Sequence, residues 1–277
     1  MAGYLASTMS FKSALNRATD NPALQRIARA GYLISGTLHL LVASIIVRIA
    51  LGSEGEADQT GALATLASRP LGTPTLYVVT AGLVALAMWR LSESVLGLHP
   101  AEHSNAHKRD SPIGHRLKAF GLALVYGAVA VTAVQFALGA QTRGSRQTAG
   151  LSARLMQSGM GRAALVAVGL VIVVIGAYYV RKGASRRFLD DLNTDGGRLL
   201  TALGLCGHIA EGLVLSTVGV LLIAATILGD PAKASGLDGA VKALGSTQFG
   251  GLILVAAAAG FAAYGLYCLA LTRYSRM

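Results

Sequence analysis

The segment GTPTLYVVTAGLVALAMW, residues 72–89, decides the architecture, because the chain contains two further versions of it. Residues 161–178 read GRAALVAVGLVIVVIGAY, and residues 250–267 read GGLILVAAAAGFAAYGLY. Each version begins with glycine, ends with an aromatic residue and lies 89 residues after the one before it. A fixed period of this kind indicates that one structural unit is repeated along the chain. The sequence therefore predicts three tandem repeats.

The apolar segments are long enough to cross a lipid bilayer. Of the 277 residues, 53% are hydrophobic and only 13% are charged, whereas soluble domains carry about a quarter charged residues. A transmembrane helix needs roughly 17–25 mostly apolar residues, because the backbone inside the bilayer must satisfy its own hydrogen bonds. Stretches of this kind lie at 30–51, 74–91, 119–138, 163–180, 199–228 and 249–271. We therefore expect an all-α integral membrane protein with six transmembrane helices, two in each repeat.

Polar segments give the predicted boundaries of the repeats. We expect a cytoplasmic N-terminal segment at 1–20, cytoplasmic linkers at 99–110 and 184–193, and repeats at 21–98, 111–183 and 194–277. Because each repeat crosses the membrane twice, its orientation is preserved in the next. We therefore expect the repeats to be related by a pseudo-threefold axis along the membrane normal.

Each repeat shows the same internal order of elements. The first span starts near a glycine, for which we align Gly31, Gly121 and Gly204, and it ends at Gly52, Gly139 and Gly229. Apolar residues three or four apart then predict short helices on the outer membrane surface over 61–68, 150–157 and 239–246. The second spans begin at Gly72, Gly161 and Gly250 and end at Trp89, Tyr178 and Tyr267. We expect these aromatic residues at the headgroup level, with a core position as the alternative.

The distribution of basic residues predicts the topology. The net charge is +11, and sixteen of the 24 Lys and Arg residues lie on the side of the two termini. By the positive-inside rule this side is cytoplasmic. The arginines between Arg143 and Arg162 are a local exception. We attribute the charge to topology and not to nucleic-acid binding, and we expect the inner loops to attract anionic lipid headgroups.

Ionisable side chains within the spans are the candidate functional residues, since each costs about 2.5–3.5 kcal/mol at mid-membrane. His39 follows its entry glycine by eight residues, and His208 and Glu211 follow theirs by four and seven. These offsets share one helical face, so the repeat predicts that the three groups meet at one depth. The same faces add two uncharged polar side chains, Ser35 and Gln135, the latter on the middle-repeat face with Val125, Ala128 and Thr132.

Several interpretations of this cluster stay open. It can relay protons or bind a cation, it can be a static polar clamp between helices, or His39, His208 and Glu211 can hold a metal ion. Weaker metal candidates are His99, His103 and His107, spaced four apart in a linker where a solvated loop is the alternative. We expect no bound cofactor.

Two ion pairs are predicted at the ends of the spans. Arg48 is expected to pair with the acidic segment 54–58, and Glu93 with Arg90 three residues away. We find no phosphate-binding loop, dinucleotide fingerprint or metalloprotease helix motif, and no nucleophile paired with a base. We therefore expect no enzymatic activity.

The entry Ala30-Gly31-Tyr32, and the pattern from Pro70-Leu71-Gly72 through Gly82 to Met88-Trp89-Arg90, occur within the threefold spacing. In these features, over nearly its whole length, the chain resembles the bacterial, largely actinobacterial, membrane family catalogued as domain of unknown function 1206. The resemblance implies three two-helix repeats in a bacterial plasma membrane, and no activity is established for the family. Where members often carry arginine and tyrosine, this chain has Ser35 and His39.

The first functional hypothesis is a small channel or transporter for a proton, cation or small solute, with its site near His39, His208 and Glu211. The alternative is a non-catalytic accessory or scaffold subunit of a membrane complex that binds lipids and protein partners. A weaker alternative is an intramembrane metal-binding protein.

Overall fold

The computed structural model describes residues 22–96, 112–140, 143–193 and 197–275, and these are helical without any β-strand. The helices in chain order are α1 (Pro22–Ala50), α2 (Gln59–Ala67), α3 (Gly72–Leu96), α4 (Pro112–Ala137), α5 (Gly144–Met156), α6 (Gly159–Ala184), α7 (Gly197–Leu228), α8 (Gly236–Gly245) and α9 (Gly250–Tyr274). Two 3₁₀ turns, Arg187–Asp191 and Pro231–Lys233, precede α7 and α8.

The long helices α1, α3, α4, α6, α7 and α9 have the length and apolar composition needed to cross a membrane. Their outer faces carry large exposed apolar side chains; α6 alone exposes Val168, Leu170, Val171, Val174 and Ile175. Apolar surface on this scale is not stable in water and is suited to acyl chains. The protein is therefore a multi-pass membrane protein, and the prediction of six apolar spans, two per repeat, is confirmed.

Glycines end the first span of each repeat, as predicted. Gly52, Gly139 and Gly229 have φ values of +87°, +85° and +68°. Glycine adopts this left-handed conformation without the steric penalty of a Cβ, which is why it commonly stops helices. The second spans begin at Gly72, Gly159 and Gly250, within two residues of the predicted starts.

The three short helices are present, but the middle one is longer than predicted. Helix α5 begins at Gly144, six residues before the predicted start at 150. Its first two turns contain no large apolar residue before Leu151, so apolar spacing gave no indication of them. All three short helices meet at one end of the bundle, where α5 contacts both α2 and α8. We call this the short-helix end, and the opposite end, with Pro22 and Tyr274, the terminus end.

The closest helix packing is between repeats and not within them. Helix α3 packs along α4, α6 along α7, and α9 along α1. Within repeats, α1 packs less closely on α3 and α7 on α9, while α4 and α6 do not pack along each other in the parts of the chain that the structure describes. The order of neighbours is therefore α4, α3, α1, α9, α7, α6.

Glycines make the close packing between repeats possible. A Cβ added at Gly36 on α1 would lie 2.7 Å from the carbonyl oxygen of Gly265 on α9. A Cβ added at Gly212 on α7 would lie 2.5 Å from the carbonyl oxygen of Gly176 on α6. Small residues are needed at such points because helices in a bilayer associate through close backbone contact and not through a hydrophobic force. Gly176 and Gly265 are 89 residues apart, so two interfaces use the same contact.

Two of the buried apolar clusters lie at different depths. The first contains Leu38, Val42, Ile46, Leu83 and Phe261 and continues into the short helices. We call these five residues and their neighbours the apolar layer. The second, at the terminus end, contains Tyr32, Leu86, Phe188, Leu192, Tyr267 and Leu271.

Replacing Gly36 by alanine should destabilise the protein, because the added methyl group meets the backbone of α9. We expect a loss of about 1–3 kcal/mol for Gly36→Ala, the usual cost of overpacking. The matched control is Gly127→Ala on α4, where a Cβ meets nothing within 4 Å. The measurement is the unfolding midpoint of the purified protein in detergent, and equal midpoints for the two variants would contradict the account.

Candidate functional site

A histidine–glutamate pair joins α1 to α7 inside the bundle. His39 Nε2 lies 3.7 Å from Glu211 Oε1, and each side chain is 13% exposed. His39 Nδ1 lies 2.8 Å from the carbonyl oxygen of Ser35. A carbonyl oxygen can only accept, so Nδ1 carries a hydrogen and donates it. The Nε2 atom is left to face the carboxylate.

This geometry allows the pair to share one proton. The proton is either on Nε2, which gives an imidazolium beside a carboxylate, or on Glu211, which gives two neutral groups. Both arrangements have no net charge, as a low-dielectric interior requires. Glu211 Oε2 is buried and accepts no hydrogen bond from the described residues. A desolvated carboxylate oxygen is a favourable position for a proton or a small cation.

Tyr264 of α9 lies between the two predicted histidines. Its ring centroid is 5.0 Å from that of His39 and 5.2 Å from that of His208. Gly207 permits this approach, since a Cβ there would lie 2.6 Å from the Tyr264 Cα. The Tyr264 ring also lies 6.4 Å from that of Tyr179 on α6. The aromatic ring therefore connects α1, α6 and α7.

His208 is 2% exposed and lies among aromatic rings. Its ring stacks on Phe188 at 5.2 Å and meets Tyr267 edge-on at 5.1 Å. Its Nδ1 donates to the Gly204 carbonyl oxygen at 2.7 Å. The structure thus places His208 on the terminus side of the His39–Glu211 pair, one aromatic ring away from His39.

Four members of the site, Tyr126, Tyr179, Tyr264 and Cys268, were missed by the sequence reasoning. Ser35, which was predicted, is buried and lies close to Tyr126 of α4 and Cys268 of α9. Tyr179 and Cys268 are 89 residues apart, and Arg90 stands 89 residues before Tyr179. That shared place in the repeat was the available signal. We define the buried polar cluster by its members: Ser35, His39, Tyr126, Tyr179, Glu211, Tyr264 and Cys268.

Gln135 is not brought to this cluster. It lies nine residues beyond Tyr126, about 13 Å along α4 toward the short-helix end. Among the described residues, its side chain makes no hydrogen bond or ion pair with the cluster. Val125, also on the predicted face, is 56% exposed. The middle repeat therefore contributes Tyr126 to the cluster, and not the predicted face with Val125 and Gln135.

Polar side chains continue from the cluster toward the terminus end. Arg90 donates to the Tyr32 hydroxyl at 2.6 Å and to Glu93 Oε2 at 2.7 Å. The predicted Arg90–Glu93 ion pair is thereby confirmed. Arg90 is also close enough to Tyr126 to interact with it electrostatically. Toward the short-helix end, by contrast, the cluster is followed by the apolar layer.

Two of the three aromatic residues that close the second spans are buried within the protein. Trp89 and Tyr267 are 4% and 1% exposed, and they donate to Glu93 and to the Phe188 carbonyl oxygen. Both therefore face protein, in agreement with the alternative of a core position, and their level relative to the headgroups stays a prediction. The neighbouring Arg90 suggested a membrane surface, but it is itself paired inside the bundle. Tyr178 is half-buried beside Tyr179.

Carboxylates tie the short helices together at their N-terminal ends. Asp58 accepts from the Gly61 amide, Glu56 from the amide and hydroxyl of Ser145, and Asp238 from the Ala57 amide. The predicted pairing of Arg48 with this acidic segment is absent from the described residues. Amides at helix N-termini compete with arginine for carboxylates, and here Asp58 and Glu56 bind the amides of Gly61 and Ser145. The weak metal candidates His99, His103 and His107 lie outside the described residues.

Burial, together with the charges of Glu56 and Asp238, raises the pKa of Asp58 from 3.8 to about 6. The folded state then binds this proton more tightly than the unfolded state does. The contribution of Asp58 to stability is therefore greatest below about pH 4 and is lost as the pH rises through about 6.

We expect the unfolding midpoint of the wild-type protein to fall across this pH range more than that of Asp58→Asn. Asparagine keeps the cap on Gly61 but does not ionise. Glu54→Gln, a change at an exposed carboxylate, should retain the wild-type pH profile. Identical profiles for wild type and Asp58→Asn would contradict the assignment.

The fold and the buried cluster define a multi-pass helical membrane protein built from three tandem repeats. Segments 30–97, 117–186 and 206–275 match the family described as Domain of Unknown Function (DUF1206), and the protein belongs to this family. It is also similar to the uncharacterized protein YxxB of Bacillus subtilis (strain 168), with 27% identity over 262 residues. That similarity covers 92% of this chain and 93% of the relative. No solved structure matches the chain.

The matched segments give a different register for the first helices. The segments begin 87 and 89 residues apart. Counted from these starts, His39 corresponds to Tyr126 and Ser35 to Glu211. The same register makes Gly36 equivalent to Gly212, in agreement with their equivalent helix contacts. The alignment on entry glycines was three residues out of this register, which is why Tyr126 was missed.

Proposed function

We propose that this protein is a small transporter or channel that moves a proton or small cation through the buried polar cluster. The observation that carries the proposal is the His39–Glu211 pair, 3.7 Å apart in the interior of a membrane bundle. Ionisable groups are costly at this depth and are functional candidates by default. The adjacent Glu211 Oε2 has no hydrogen-bond donor among the described residues, so it favours an exchangeable proton or cation.

The proposed location is the bacterial cytoplasmic membrane, with both termini in the cytoplasm. The excess of Lys and Arg at the terminus end supports this orientation. The same basic side chains would attract anionic headgroups of the inner leaflet. A pseudo-threefold arrangement is supported by the repeated glycine contacts, although the middle repeat departs from it where α4 and α6 separate.

In the proposed mechanism, the site exchanges protons with the terminus side. Tyr126, Tyr32 and Arg90 provide polar groups between the pair and that end of the bundle. The apolar layer closes the opposite direction and acts as the gate. Loss of the shared proton leaves one negative charge on the pair, which a cation from the terminus side can neutralise.

The test is ion flux into liposomes that contain the purified protein and a trapped pH-sensitive dye. Wild-type vesicles should acidify faster than protein-free vesicles after an imposed pH gradient. Glu211→Gln should reduce the rate to that of protein-free vesicles, because glutamine keeps the shape but cannot take up a proton. His39→Gln should slow the flux as well, because Glu211 loses its partner.

The matched control is Glu54→Gln, an exposed carboxylate at the short-helix end, which should transport at the wild-type rate. Parallel measurements with sodium and potassium gradients test whether the transported ion is a cation other than the proton. Wild-type flux equal to that of empty vesicles in every arm would reject transport. Flux that survives in Glu211→Gln would reject the site.

A second candidate function, an accessory subunit of a membrane complex, is favoured by one observation. Helix α6 is the least buried of the six spans, and it does not pack along α4 in the described parts of the chain. An apolar helix side of this kind accommodates a partner helix as well as lipid.

If this second function holds, the protein should migrate within a larger complex on native gels of gently solubilised membranes. Val171→Trp and Val174→Trp, on the exposed face of α6, should release it from that complex. Val84→Trp, on the exposed face of α3, is the matched control and should leave the complex intact. Migration of the wild type as an isolated 28.4 kDa chain would reject this function.

A further inference from the structure

A pocket of about 840 Å³ opens at the short-helix end, and none of its lining residues belongs to the buried polar cluster. It lies between the ends of α1 and α4, the loop before α2, and the first turn of α5. Its charged lining comprises Arg48, Arg143, Arg146, Glu54 and Glu56. Ile45, Phe136 and Ala137 form an apolar wall on the membrane side. The pocket thus combines cations with an apolar surface.

The three arginines of this pocket make no ion pair with any described residue. Other cations at the same end are engaged: Lys233 with Asp230 at 3.2 Å, and Lys242 with Asp238 at 2.7 Å. Arg162 donates to a carbonyl oxygen at 2.8 Å. Arg69 and Arg154 at this end likewise make no ion pair with the described residues, but they lie outside the pocket. What distinguishes the three pocket arginines is that their available donors surround one pocket.

The acidic residues of the pocket do not neutralise it. Glu56 is held by the amide and hydroxyl of Ser145, at 2.9 and 2.6 Å. Glu54 is exposed at the rim and makes no ion pair among the described residues. Three cations against two carboxylates leave the pocket with a net positive charge. The first turn of α5 adds the partial positive charge of a helix N-terminus.

We propose that this pocket binds a phosphate group, carried either by a lipid headgroup or by a water-soluble phosphate ester. The planar guanidinium presents paired donors that match phosphate oxygens, which makes arginine the preferred residue for such sites. The apolar wall suits the hydrocarbon part next to the phosphate. The proposal also accounts for Arg143 and Arg146, which the positive-inside rule does not explain on this side of the membrane.

The experiment uses the full-length protein in phosphatidylcholine nanodiscs and two probes. Calorimetric titration with glycerol 3-phosphate tests the water-soluble source. Native mass spectrometry of protein purified from mixed phosphatidylglycerol and phosphatidylcholine vesicles tests the lipid source. We expect at least one probe to bind, and phosphatidylglycerol to be retained in preference to phosphatidylcholine if the source is lipid.

The variant Arg48→Gln/Arg143→Gln/Arg146→Gln should weaken the binding by about tenfold or more, because it removes the charged donors. The matched control is Arg69→Gln/Arg154→Gln, two exposed arginines at the same end but outside the pocket. Its binding should stay within about twofold of wild type, since exposed charges act weakly through screened solvent. Neither variant changes the transport site, so proton flux provides a check that both are folded.

Loss of binding only for phosphatidylglycerol assigns the pocket to a lipid headgroup, and loss for glycerol 3-phosphate assigns it to a soluble ester. Wild-type protein that binds neither probe would overturn the proposal. Equal losses in the triple variant and the control variant would do so as well, because the binding would then reflect general surface charge.

Discussion

Backbone-to-backbone contact between repeats is the constraint on which the rest of the structure depends. Gly36 against Gly265 and Gly212 against Gly176 bring α1 onto α9 and α7 onto α6. Gly207 then allows α9 to approach α7 at Tyr264. Only with these helices so close can a histidine on α1 reach a glutamate on α7. The polar pair is thus a consequence of small residues placed where the bilayer gives no hydrophobic force.

The pair separates two chemically different halves of the bundle. Toward the terminus end, tyrosines and the Arg90–Glu93 pair continue the polar character. Toward the short-helix end, the apolar layer seals the interior, and the polar groups beyond it belong to the short helices. A static clamp between helices needs only the pair itself. The polar continuation on one side and the seal on the other are the features on which the proposed exchange with one side of the membrane rests.

Much of the fold could be predicted from the sequence, because its signals depend on the order and composition of residues and not on how the helices are rotated. The 89-residue period, six apolar stretches and the terminal glycines are visible in the chain and correspond to helices α1–α9. The site was harder because it depends on helix rotation. An alignment error of three residues moves a side chain about 300° around a helix and about 4.5 Å along it, which put Val129 in place of Tyr126 as the counterpart of His39. The burial of Trp89 could not be predicted either. The neighbouring Arg90 suggested a position at the membrane surface, but Arg90 is paired with Glu93 inside the protein.

The central claim is that Glu211 and His39 share an exchangeable proton. Infrared difference spectroscopy of the reconstituted protein between acidic and alkaline buffer reports the protonated carboxyl group directly. The account predicts a carboxyl C=O band that is absent from Glu211→Gln and shifted in His39→Gln. A spectrum unchanged by Glu211→Gln would show that this carboxylate holds no exchangeable proton and would contradict the account.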